Sequence, residues 1–90
     1  MPTLALPSLL THDQAAACAQ TLVAGIRAEM SNKVVVDASA LARFDSSALA
    51  VLLQCRREVM ALGKGLTING LPAKLRELAS LYGIQTLIEA

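Results

Sequence analysis

The chain has little from which to build a reactive centre. Its 90 residues include no tryptophan, one phenylalanine, one tyrosine, one histidine and two cysteines. Cys18 and Cys55 lie far apart and match no metal or redox spacing. Each falls near the apolar side of a helix and reads as a reduced, partly buried small hydrophobe. His12 stands beside a helix start without a second His, a Cys or an acid at ligand spacing, so it reads as a solvated turn residue. Charge is scarce too: eight Lys and Arg against seven Asp and Glu leave a net charge of +1. The densest basic group, Arg56-Arg57 with Lys64, is too sparse for a nucleic-acid footprint. No apolar run reaches the roughly 18 residues that span a bilayer, so direct membrane insertion is not expected. The N-terminus lacks the sections of a signal peptide, and the expected location is the cytoplasm. Glycine is also sparse, and Gly63-Lys64-Gly65 follows a helix where a phosphate loop would open one. No cofactor, and no catalysis, is expected from such a set.

What is abundant is aliphatic. Hydrophobic residues make up 54% of the chain, and the mean hydropathy is +0.52. That value suits either a surface covered by a partner or simple alanine enrichment. The length fits one domain, spanning residues 1–90, with one core.

Periodicity and caps order the elements. Thr3 to Leu6 reads as a short strand ended by Pro7. Thr11-His12-Asp13-Gln14 matches a capping box. Ala15, Cys18, Ala19, Leu22, Ile26 and Met30 follow at helical spacing. Lys33 to Ala38 holds three consecutive valines, which suits a central strand covered on both faces. A loop from Ser39 to Phe44 leads to Asp45-Ser46-Ser47, a helix start capped by Asp45 or Ser46. Ala48, Leu49, Leu52, Leu53, Arg56, Val59 and Met60 trace the stripe of that helix, and Gly63 ends it in the left-handed conformation. Leu66 to Asn69 alternates as a strand. Pro72 opens a third helix, with Leu71, Leu75, Leu78 and Tyr82 on its buried face and Gly83 as its stop. Leu87-Ile88 adds a last turn or strand. Right-handed crossovers then give an α/β fold, a small sheet with helices packed against it.

Two carboxylates, Asp37 and Asp45, fall near one end of the central strand. They suit a magnesium site or, more simply, strand-end and helix-cap roles. Ser46 and Ser47 have no nearby base to activate them.

The stretch Val34-Val35-Val36-Asp37-Ala38-Ser39, a short loop, and then Asp45-Ser46-Ser47-Ala48-Leu49 resembles the STAS family, the sulfate transporter and anti-sigma factor antagonist domains. Gly65 to Leu71 and the helix after it are similar to that family's last strand and helix. Leu78-Ala79-Ser80-Leu81-Tyr82-Gly83-Ile84 resembles the MlaB-like group, the STAS subunits of bacterial phospholipid ABC transporters. The resemblance implies a small mixed sheet and a non-catalytic role on the transporter's ATPase subunit, peripheral to the inner membrane. It implies a docking face of Leu41, Arg43, Phe44, Asp45, Ser46, Ser47 and Ala50, with Tyr82 contributing from the third helix. It also places Ser46 at the phosphoacceptor position of anti-sigma factor antagonists, whose partner is an anti-sigma factor kinase. Two departures stand out. Ala48 replaces the family's usual Gly, and the family's first strand is missing, which leaves Leu4 to Leu6 as an open edge for a homodimer.

The purified chain should hydrolyse neither ATP nor GTP. Turnover that survives purification and disappears in Asp37→Ala or Asp45→Ala would contradict this reading.

Overall fold

A computed structural model describes residues 3–88. In chain order the elements are β1 (Thr3–Ala5), β2 (Leu9–Leu10), α1 (His12–Ala28), β3 (Lys33–Asp37), β4 (Arg43–Phe44), α2 (Ser47–Ala61), β5 (Gly65–Asn69), α3 (Ala73–Leu81) and α4 (Gln85–Ile88). β1, β3 and β5 form one sheet in that order, and β2 pairs with β4 in a second. Every described ladder is parallel, where the resemblance implied a mixed sheet. The α/β class with helices packed on a small sheet is what the structure shows.

Local signals account for most element ends. Gln14 Oε1 accepts from the Thr11 backbone N–H at 3.0 Å and from the Thr11 hydroxyl at 2.7 Å, closing the capping box of α1. Gly63 has φ +69°. Beside it Lys64 N–H donates to Val59 C=O and Gly63 N–H to Met60 C=O, the two bonds of a Schellman turn. Gly83 closes α3 in the same way, with Ile84 N–H on Ala79 C=O and Gly83 N–H on Ser80 C=O. The turn after α2 also serves α1. Lys64 Nζ donates to the carbonyls of Ile26 and Glu29, placing a cation at the negative end of that helix.

The crossovers through α1 and α2 run in the same direction along the parallel sheet, and the two helices share one core on one of its faces. Val34 and Val36 are buried beneath them, and Ala19, Leu22 and Ile26 of α1 meet Leu49, Leu52, Cys55 and Val59 of α2 in one core. Burial pushes the Cys55 thiol up to about 12, with Cys18 adding to the shift, and raises Cys18 as well. Both are free thiols, and burial disfavours the reactive thiolate.

The structure corrects several expectations. β3 is covered on one face only: Lys33, Thr3, Ala5, Thr67 and Asn69 are exposed on the other, with Val35 half-buried among them. The loop from Ser39 to Phe44 contains β4, which pairs with the unforeseen β2. Met30 lies beyond α1, and Met60 faces out, whereas Val51 is buried. In α3 the buried face is Leu75 and Ala79, with Leu71 before it. Leu78 is half-buried on its flank and Tyr82 is exposed. Leu87-Ile88 belongs to a short helix that buries Ile88.

Leu75→Ala should therefore cost about 2–5 kcal/mol, and Leu78→Ala only about 1 kcal/mol. Chemical denaturation of the two variants checks the order, and equal losses would return Leu78 to the core.

Candidate functional site

The candidate face is built where the sheet's C-terminal edge meets the start of α2. β3 ends at Asp37, whose Oδ1 accepts from Ser39 N–H at 2.9 Å and turns the chain out of the sheet. The Ser39 side chain first, and then this backbone hydrogen bond, hold the Asp37 carboxyl below the usual carboxylate range. Gly70 crowds the turn from β5: it has φ +70°, and a Cβ there would come within 2.8 Å of the Ser39 Cβ. On the other side, Ser8 C=O accepts from Ala42 N–H at 2.8 Å and Arg43 N–H at 2.9 Å, leading into the β2–β4 ladder. The loop is thus pinned from both flanks before it reaches Phe44.

Asp45 then joins two helices. Its Oδ1 accepts from Ser47 N–H at 2.8 Å, and its Oδ2 accepts from His12 N–H at 3.1 Å. These are free donors of the first turns of α2 and α1, so one carboxylate satisfies both helix starts. The Ser47 bond, followed by the His12 bond, keeps the Asp45 carboxyl below its ordinary value despite opposing desolvation. The two carboxylates thus hold turn and cap hydrogen bonds, the simpler of the two roles open to them.

Ser46, directly before α2, has a right-handed backbone and makes no side-chain cap bond. Of the two candidate caps, Asp45 does the work and the Ser46 side chain is left exposed. Arg43, Asp45 and Ala50 are exposed around it, and Phe44 and Ser47 are half-buried. Leu41 is different: it is buried in the core and offers a partner almost no surface. Ala48 is fully buried too, so a side chain at the family's usual Gly position faces the core.

Phe44 also connects this face to α3. With Lys74, Glu77, Leu78 and Leu81 it lines an open groove of about 300 Å³. Leu81 is 80% exposed and Tyr82 is 59% exposed. Sequence reasoning placed Leu78 in the core and passed over Leu81. The available signal was that Leu81 is apolar yet lies off the Leu71, Leu75 and Ala79 face. Arg43 and Phe44 lie on β4, Ser46 and Ala50 at the start of α2, and Tyr82 follows α3 without lining the groove.

The family model described as "Mlab, STAS domain" matches residues 1–89. The chain belongs to the STAS family. No curated protein matches it at a significant level. The match covers nearly the whole chain, so the helix start at Asp45 lies inside it. STAS domains are generally non-catalytic.

Asp45→Ala should lower the melting temperature clearly, whereas Ser46→Ala should stay within about 0.5 kcal/mol of wild type. The Asp45 contribution has a defined pH sense. Its folded pKa lies below the unfolded one, so the stabilisation is complete above the ordinary carboxylate pKa and is lost as pH falls through the folded value. Melting curves of wild type and Asp45→Ala should converge in acid. A gap that persists below the carboxylate range would contradict the capping role.

Proposed function

We propose that this STAS domain is a non-catalytic subunit that binds and supports the ATPase of a phospholipid ABC transporter maintaining outer-membrane lipid asymmetry. It would work in the cytoplasm, held at the inner membrane through that partner. The observation that carries the reading is the exposed apolar pair Leu81-Tyr82 beside the Phe44 groove and the Ser46 helix start. Folding makes little use of these side chains, and together they offer a partner an apolar centre with a small, near-neutral shoulder. Lys74 and Glu77 flank the groove with opposite charges, which suits an apolar anchor carried on a polar partner helix. The description of the matching family, which names Mlab, supports the same partner class.

A second reading has its own observation. Ser46 is exposed and free of any cap bond, so a kinase would meet an available hydroxyl. The domain would then be an anti-sigma factor antagonist, and phosphate on Ser46 would be tolerated by the positive end of α2. In either case, negative charge at Ser46 leaves the fold intact and must be desolvated when the face is covered.

Pull-down against the co-expressed ATPase subunit tests the first reading. Leu81→Asp and Ser46→Glu should each weaken capture about tenfold or more while keeping the wild-type melting temperature. Wild-type capture by both variants would remove this face from the interface. Capture of a kinase with no ATPase binding would favour the second reading.

A further inference from the structure

Among the described residues, β1 is bonded on one edge only. Leu6 N–H donates to Asp37 C=O at 2.9 Å, continuing the ladder with β3. In a parallel ladder, the residues whose N–H and C=O face the partner strand alternate along the chain. Leu4 therefore faces β3 as Leu6 does, and Thr3 and Ala5 turn their backbone groups to the open side, where no described strand lies. Thr3–Ala5 carries no charge and no proline, two common guards of an edge.

Two features flank this edge along the seam between β1 and α1. Near the C-terminal end of β1 lies an open apolar groove of about 490 Å³, whose lining includes Leu6, Leu9, Ala17, Cys18 and Leu22. Near the N-terminal end, Leu4, Gly25 and Ala28 lie beside Met30. The Met30 side chain is 96% exposed, the most exposed large hydrophobe among the described residues.

The geometry points to a second copy of this chain as the occupant of this edge, joined by antiparallel pairing of β1 with β1 about a two-fold axis at Leu4. Thr3 of each copy then faces Ala5 of the other, and each such pair exchanges both of its backbone bonds. The sheet becomes continuous across the two copies, and the contact closes on itself. Antiparallel pairing sets the N-terminal end of one β1 beside the C-terminal end of the other. It thereby carries Met30 of each copy to the apolar groove of its partner. A foreign strand would satisfy the backbone groups but would not supply this reciprocal fit, and that selects a second copy. The surface lies apart from the α3 groove, so the inference does not rest on the proposed partner.

Sedimentation equilibrium of the purified chain is the test, from the micromolar range to about 1 mM. The apparent mass should rise from the 9.4 kDa monomer toward twice that value. Ala5→Pro removes a backbone donor from the open side and leaves the bonds of Leu4 and Leu6 to β3 in place. Met30→Lys charges a side chain the core does not use. Each should weaken the dimer about tenfold or more, and the circular dichroism melt of dilute Met30→Lys should match wild type. If Ala5→Pro does not fold, Met30→Lys alone decides. A wild-type chain that remains monomeric at about 1 mM, or a dimer that Met30→Lys leaves unchanged, overturns the inference.

Discussion

The carboxylate of Asp45 holds the start of α1 and the start of α2 in one place. With one oxygen on His12 N–H and the other on Ser47 N–H, it fixes where both helices begin relative to the sheet edge. The two helices then share a core through Ala19, Leu22, Ile26, Leu52 and Cys55. At their far ends Lys64 caps α1 from the turn that follows α2. The helix pair is therefore tied at both ends by a charged group acting on backbone atoms, and Arg27 with Glu58 adds a largely solvated link between them.

Because Asp45 supplies the cap, the residue after it is released from structural duty. That separation leaves Ser46 exposed at a helix start that does not depend on its side chain. The same logic extends to α3, where Leu75 and Ala79 hold the helix down and Leu81 and Tyr82 are left outside. Buried residues and the exposed residues of the proposed face interleave along the chain but occupy different faces of the same helices. A binding module needs this division more than an enzyme does, since it has no reacting atoms to align.

Much of the fold was legible because its signals are local. Thr11 with Gln14, Gly63 and Gly83 each act within one turn of helix, so the sequence window that contains them contains their physics. The valines of β3 announced a central strand but not which faces are covered, since that depends on both crossovers returning on the same side. Two-residue strands such as Leu9–Leu10 and Arg43–Phe44 have no period to detect. At the helix start, Asp45 and Ser46 are equally good caps on local grounds. Asp45 is further engaged by His12 N–H, 33 residues away in sequence, which no local window contains. Leu41 was misplaced for a related reason: loop residues are usually outside, whereas this one, its N–H on Ala38 C=O, joins the core. The face around Ser46 was implied by the family resemblance, and its proposed extension to Leu78 and Leu81 required the groove that α3 and Phe44 line together.

The central claim is that the surface joining the Ser46 helix start to the end of α3 is the one a partner covers. Amide hydrogen exchange, on the chain alone and with the ATPase subunit bound, tests it most directly. Exchange should slow in the segments 43–50 and 78–83, while the outer edge at 3–5 keeps the protection it has in the chain alone. Slowing confined to other segments, with 43–50 and 78–83 unchanged, would contradict the account.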